Sequence, residues 1–297
     1  MKIYDCFTFY NEFELLELRL ETLWDVVDYF VIVEADRTFT NKPKEYNLLN
    51  RRNELAKYLS KIRYVRARYD QQFKGVGDWS IEIFQRNLIV RGLPDAAPDD
   101  LIFISDLDEI PAPDIFSRIQ NDRATVIMPY WHPLNGRGGA VRIMPCPSLY
   151  SVEQLLELGP IAMQQHFHVY YLNMFDPQPW AGSILLKYKN MSTPQQIREL
   201  RYKLPRIVDG GWHFSYMGGV DRVIQKMTSI VDGNALVVAS QGKFVEREHV
   251  ETVMQNGSDP YEQTVPWKIN CRPCRLEDIK LPTLNWFVAK YPHFVRR

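Results

Sequence analysis

Along the first hundred positions the apolar residues switch repeatedly between two periods. Ile3 to Phe9 is rich in β-formers and gives way at Asn11 to Phe13, Leu16, Leu20, Leu23 and Trp24 at helical spacing. Asn11 with Glu14 reads as an N-cap arrangement for that helix. Tyr29 to Val33 is a continuous apolar run without alternation, the pattern of a strand covered on both faces, and it ends in Glu34 and Asp36. Ile62 to Val65 predicts a further short strand. Asp78 opens a helix whose Ile81, Phe84 and Leu88 form an apolar stripe, and the helix stops near Gly92-Leu93-Pro94. A third buried run, Leu101 to Ile104, leads directly into Ser105-Asp106-Leu107-Asp108-Glu109-Ile110-Pro111. This alternation predicts an α/β fold, a mostly parallel sheet with helices on both faces.

The second half is less regular. Strands are expected over Thr125 to Trp131, Val141 to Met144 and His166 to Leu172, and helices from Ser151, from Thr193-Pro194 and near Val220. Pro and Gly between Pro129 and Pro147, including Asn135-Gly136-Arg137-Gly138-Gly139, predict turns and a mobile loop, and Asp176-Pro177-Gln178-Pro179-Trp180 reads as a Pro-rich loop. With no repeat and no tract of linker composition, one domain over 1–297 is expected.

Composition narrows the function. The 297 residues are 45% hydrophobic and 24% charged, enough for a sizeable core. Thirty-six Lys and Arg against 36 Asp and Glu give a formal net charge of +0, so no overall field draws in nucleic acid or an anionic membrane, and a charged ligand needs a local site. No stretch approaches the roughly 20 apolar residues of a bilayer span, and the first residues lack the apolar core of a signal peptide. The expectation is a soluble, cytoplasmic protein. Cys6, Cys146, Cys271 and Cys274 are then reduced thiols. Cys271-Arg-Pro-Cys274 has metal-site spacing but no second pair to complete four zinc ligands, so it reads as two loop thiols able to pair under oxidation.

In an open parallel sheet, ligands bind at the carboxyl ends of the strands. There the chain places Asn11 and Glu12, then Glu34 and Asp36, then Asp106, Asp108 and Glu109. In extended backbone, Asp106 and Asp108 project to the same side, where they can bind a hard divalent cation such as Mn2+ or Mg2+ on a diphosphate. Taken alone, Glu82 and Arg86 are an i, i+4 ion pair, His213 between Trp212 and Phe214 is a core histidine, and Asp209 before Gly210-Gly211 is a turn former.

A set of ordered blocks resembles glycosyltransferase family 17. They are Phe9 to Leu20, Val27 to Glu34, Phe39-Thr40-Asn41-Lys42-Pro43-Lys44, Trp79 with Glu82, Gln85, Arg86 and Asn87, Ser105 to Pro111, and Gly210-Gly211-Trp212-His213-Phe214-Ser215-Tyr216. Known animal members of that family add a bisecting N-acetylglucosamine to the core β-mannose of N-glycans. The resemblance implies a GT-A type Rossmann-like fold, a nucleotide-sugar donor such as UDP-GlcNAc, a glycan acceptor, and inverting transfer with the D-x-D metal on the donor's diphosphate. A leaving UDP develops negative charge, which a divalent cation stabilises without proton transfer.

On that basis residues 1–111 are expected to bind the nucleotide sugar and 112–297 the acceptor. Phe9, Asn11, Glu34, Glu82, Arg86 and Asp106 are expected around the donor, with Asp106, Asp108 and His213 on the metal. The base that deprotonates the acceptor should lie across the sugar from the metal, which favours Asp209 over Glu109. Sugars stack their C-H faces on rings, and among Trp131, Trp180, Trp212, Tyr170 and Tyr171 the chosen acceptor residues are Trp180 and Trp212.

The chain also departs from the family. It lacks the membrane anchor and luminal stem of animal members, which implies a soluble bacterial or viral-type enzyme with a different acceptor. After Lys226-Met227 it has Thr228-Ser229-Ile230-Val231-Asp232-Gly233-Asn234 in place of a Ser-His-Glu-like element, so active-site details tied to that element do not carry over. Two readings compete. A haloacid-dehalogenase-like phosphohydrolase would use Asp106 as nucleophile and Asp108 as acid/base, but Glu109-Ile110-Pro111 stands where that family has Gly-Thr or Val-Thr. A non-catalytic carbohydrate-binding protein would not need an intact acidic pair with Arg86.

Overall fold

A computed structural model of the chain describes residues 1–121, 123–130, 142–145, 151–262 and 268–297. Trp131, the Asn135 to Gly139 loop and Cys146 lie outside the described residues. The N-terminal half follows the alternation: β1 (Ile3–Phe9), α1 (Phe13–Leu23), β2 (Tyr29–Ala35), α2 (Asn47–Asn50), β3 (Ile62–Ala67), α3 (Ser80–Asn87) and β4 (Leu101–Asp106). Strands β3, β2, β1 and β4 lie side by side, all parallel.

The lack of alternation in these strands has a direct cause, since both faces are covered. Phe7, Phe9, Phe30 and Ile32 pack on one side against Leu16, Leu20 and Leu23 of α1. The residues between them, Cys6, Val31 and Val33, pack on the other side with Ile102 and Ile104, against Ile89, Leu93 and Ile197. Asn11 is not the cap it was expected to be. Helix α1 starts at Phe13 without a side-chain cap, and the Asn11 amide donates instead to Gln225 Oε1 at 2.8 Å.

The second half contains β5 (Glu109–Pro111), α4 (Ile115–Gln120), β6 (Val126–Tyr130), β7 (Arg142–Pro145), α5 (Val152–Leu158), β8 (Ile161–Val169) and β9 (Met174–Lys187). It continues with α6 (Pro194–Glu199), β10 (Arg206–Ile207), β11 (Gly211–Ser215), α7 (Val220–Ser229), α8 (Val231–Ala239), α9 (Arg247–Asn256), β12 (Arg272–Pro273) and α10 (Leu284–Lys290). Beyond β4 the sheet becomes mixed, in the order β9, β8, β10, β6, β7, with β9 antiparallel to both β4 and β8. The helices expected at Ser151 and Thr193 begin there, each with a complete capping box.

The Pro-rich segment expected as a loop, Asp176 to Trp180, lies instead inside β9. Its prolines are tolerated because the β8–β9 ladder shifts register between Gln165 and Phe167, where a missing N–H is not needed. Strand β11 runs parallel to β8 and antiparallel to β5, bringing His213 opposite Glu109. Gly211 permits that approach. Its φ is 131°, and an added Cβ would sit 2.1 Å from the Ile110 carbonyl oxygen. Among the described residues no helix is long and apolar enough to cross a membrane, and Cys6, Cys271 and Cys274 are free thiols.

Candidate functional site

A cavity of about 690 Å³ opens where the carboxyl ends of β1, β4 and β11 meet the cavity-facing sides of α3, α6 and α7. Its floor is the turn formed by Asp106, Leu107 and Asp108. That turn is fixed from below by Arg19 of α1, whose Nη1 donates to the carbonyls of Asp106, Leu107 and Glu109 at 2.8–2.9 Å. The same guanidinium binds both oxygens of Asp5 on β1, at 2.7 and 2.5 Å, and both side chains are 0% exposed.

Asp106 is held by guanidiniums on both oxygens. Arg86 Nη2 lies 2.8 Å from Oδ1 and Arg198 Nη2 lies 2.9 Å from Oδ2. Each arginine side chain is 3% exposed, whereas Asp106 is 37% exposed to the cavity. Arg86 also binds Glu82 at 2.7 Å and Gln195. Burial alone would raise the Asp106 carboxyl, but Arg198 and Arg86 outweigh it and hold the group well below the usual carboxylate range. Glu82 is pushed up by burial, against the opposing pull of Arg86. With a guanidinium on each oxygen, the Asp106 carboxylate is a weakened nucleophile, which counts against the phosphohydrolase reading.

Asp108 has a different environment. Its Oδ2 lies 2.6 Å from Lys226 Nζ and 3.5 Å from His213 Nε2. Its carboxyl is depressed below the ordinary range because Lys226 and His213 outweigh the opposing effect of burial, and Asp108 in turn raises Lys226 against burial. The His213 ring stacks on Phe167, with centroids 4.9 Å apart, and lies 4.5 Å from the Trp180 ring. The expected same-side pair therefore separates into an arginine-held Asp106 and an Asp108 that faces His213.

Among the described residues no group of three or more His, Cys, Asp or Glu converges as a metal site. Asp108 and His213 nevertheless fit a divalent cation that takes its other ligands from phosphate and water, the usual arrangement for a small hard cation. Their facing atoms, Asp108 Oδ2 and His213 Nε2, are 3.5 Å apart, and Lys226 Nζ, 2.6 Å from the same oxygen, would turn aside to admit the cation. Asp106 is the poorer fit, because a guanidinium stands on each of its oxygens where a cation would be repelled.

Of the other donor residues, Phe9 and Asn11 line the cavity and Glu34 does not. Glu34 is fully buried, bound to Lys44 at 2.5 Å, to the N–H groups of Asn47 and Leu48 and to the Tyr64 hydroxyl. It anchors the start of α2. Both expected bases are also placed away from the cavity. Asp209 precedes β11, at the opposite end from the cavity-lining His213 to Ser215, on an exposed turn with φ 52° and 3.0 Å from His166 Nε2. Glu109 is completely buried, accepting from Trp180 Nε1 at 2.6 Å and Arg198 Nη2 at 2.5 Å, so it braces the site from behind. Trp180 lines the cavity. Trp212 is in the core, its Nε1 donating to the Ile279 carbonyl at 2.7 Å, because alternation along β11 turns it away from the side that presents His213.

Sequence reasoning missed Arg198, Lys226 and Arg19. Nothing local marks Arg198 on its short helix or Lys226 in the last turn of α7. Arg19 carried a signal, because it falls among the apolar positions of α1, where an arginine needs a buried partner.

Residues 1–126 match the model of glycosyltransferase family 17. Over 112 residues the chain is 32% identical to the beta-1,4-mannosyl-glycoprotein 4-beta-N-acetylglucosaminyltransferases of Homo sapiens and Rattus norvegicus. The alignments cover 35% of this chain but only 21% and 20% of those relatives. Among solved structures, the mannosyltransferase PcManGT from Pyrobaculum calidifontis, in complex with GDP-Man and Mn2+, aligns with 98% of this chain and 75% of its own, at 13% identity and a TM-score of 0.33.

Proposed function

We propose that the chain is an inverting glycosyltransferase that moves a sugar from a nucleotide diphosphate sugar, UDP-GlcNAc in the first instance, onto a glycan hydroxyl. The observation that carries this reading is the cavity floor itself, where an arginine-held Asp106 stands beside an Asp108 facing both His213 and Lys226. The family 17 match over residues 1–126 supports it, since that segment supplies Phe9, Asn11, Arg86, Asp106 and Asp108 to the cavity. In this reading residues 1–111 hold most of the donor, His213 and Lys226 reach its diphosphate from the second half, and the acceptor is held by 112–297 through Trp180 and the α7–α8 wall.

Each side chain has a task in that chemistry. Arg86 and Arg198 keep Asp106 ionised and aimed into the cavity, where a carboxylate accepts hydrogen bonds from sugar hydroxyls. Lys226 places a cation beside Asp108, where diphosphate charge would develop. Asp108 and His213 would hold Mn2+ or Mg2+, which when bound supplies charge stabilisation to the departing diphosphate. The Trp180 ring offers a stacking face to a sugar.

Calorimetry with UDP and manganese, repeated after chelation, is the direct test. Tight binding that disappears with the metal is expected, along with slow metal-dependent hydrolysis of one nucleotide sugar from a panel. Free-glycan binding with indifference to UDP would instead mark a lectin. Arg86→Lys keeps the charge but cannot bridge Glu82, Asp106 and Gln195 together, so donor affinity should fall roughly tenfold, about 1.4 kcal/mol. Unchanged affinity in that variant would reduce Arg86 to a helix brace.

A further inference from the structure

With Asp209 outside the cavity and Glu109 buried, the proton of the attacking hydroxyl has neither of its expected acceptors. We propose that Asp232, in the first turn of α8, is the general base that takes it; this rests on the transferase reading. The carboxylates lining the cavity separate by what they already hold. Glu14, Glu82, Asp106 and Asp108 each face a cationic side chain, at 3.7, 2.7, 2.8 and 2.6 Å respectively. Asp259 is occupied by the N–H groups of Tyr261 and Ile269, Glu12 by that of Asn11, and Glu199 by the Gln195 amide. Asp232 lines the same cavity as a solvent-exposed side chain with no hydrogen-bond or ion-pair partner among the described residues, so its oxygens are open to an incoming hydroxyl.

Its placement suits the role. The cations gather on the Asp106–Asp108 floor, with Arg86 on α3, Arg198 on α6 and Lys226 on α7. Asp232 enters from the next helix, whose Leu236 lines the cavity together with Tyr261. The backbone there is seated firmly. Val231 is buried, and a Cβ on Gly233 would lie 2.3 Å from the Tyr261 hydroxyl. A base needs a lone oxygen on a fixed frame, away from the charges that bind the leaving group. Partial desolvation by the cavity wall also raises the Asp232 carboxyl above its ordinary value, which strengthens its ionised form as a base.

In the step itself, the acceptor O–H proton passes to the Asp232 carboxylate. The freed oxygen pair forms the bond to the anomeric carbon, and the bond from that carbon to the diphosphate oxygen breaks, its electron pair leaving on UDP.

The experiment measures UDP release from UDP-GlcNAc with manganese, water serving as acceptor, for wild type, Asp232→Asn and Asp209→Asn. Asp232→Asn should lose about a hundredfold or more in turnover while calorimetric affinity for UDP is unchanged, and Asp209→Asn should turn over like wild type. Azide, a nucleophile with no proton to remove, should restore UDP release in Asp232→Asn and yield the β-glycosyl azide. Near-wild-type turnover in Asp232→Asn, loss of UDP affinity alongside turnover, or no rescue by azide each overturns the assignment. A wild-type protein that releases no UDP from any nucleotide sugar, on a panel that includes UDP-GlcNAc, overturns the transferase reading instead, and this role with it.

Discussion

Arg19→Ala is expected to cost about 3–5 kcal/mol of folding stability, read as a lowered urea midpoint at unchanged slope. The substitution strips the partner from Asp5, which sits on β1 with 0% exposure and both oxygens bound to the guanidinium. A buried carboxylate without its cation cannot be rehydrated in the folded state, and that penalty exceeds the net worth of the pair. Native domains have only about 5–15 kcal/mol in total, so the loss is a large fraction. The double variant Asp5→Leu/Arg19→Met separates stability from site geometry. Replacing a buried ion pair with apolar residues of similar volume is often neutral, so much of the stability should return. The carbonyls of Asp106, Leu107 and Glu109 stay without their donor, and UDP binding should remain weak. A loss below about 1 kcal/mol in Arg19→Ala would show that the buried pair is dispensable.

The parallel block was legible because its strands are buried on both faces, and that condition leaves continuous apolar runs that a single sequence displays. Tyr29 to Val33 and Leu101 to Ile104 are such runs, and each opens its strand and makes up most of it. β9 was illegible for the opposite reason. Its outer part, Asp176 to Pro179, is mostly polar or proline, and it is extended only because β8 pairs with it through two register shifts. Pairing that depends on a distant partner leaves no local period to read. β11 hides in a similar way, since its glycine is required by contact with β5 rather than by a turn of its own.

The site divides along the same line. Asp106, Asp108 and Arg86 could be placed at the cavity from sequence because they stand next to strong elements and within recognisable blocks. Glu34 was misplaced because a polar residue at a strand's end looks the same whether it faces a ligand or caps the next segment, and here it binds the N–H groups of Asn47 and Leu48. Asp209 and Trp212 were misplaced by strand direction, since only the pairing of β11 with β8 and β5 reveals which end and which side of that strand reach the cavity. Arg198 meets Asp106 across 92 residues of chain, a contact that no local pattern encodes.

Asp108→Ala is expected to abolish metal-dependent UDP binding and lower turnover of UDP-GlcNAc by about 10²–10³ or more, the usual cost of removing one electrostatic stabiliser from a transition state. Two effects combine in it. The alanine removes the carboxylate that faces His213, leaving one protein ligand where the proposal needs two, and it removes the anion that fixes Lys226. The fold should survive, because the Lys226 side chain is 25% exposed and its ammonium can turn to solvent, unlike the fully enclosed Asp5–Arg19 pair. Asp108→Asn then isolates charge from shape. It keeps the volume and one oxygen but not the negative charge, so it should bind manganese far more weakly while the His213 stack on Phe167 persists. Titrating manganese at fixed UDP distinguishes the cases: a right-shifted but saturable curve is expected for the asparagine and no metal response for the alanine. Full metal-dependent turnover in Asp108→Ala would remove Asp108 from the metal and leave Lys226 with Arg86 and Arg198 as the charges that hold the diphosphate.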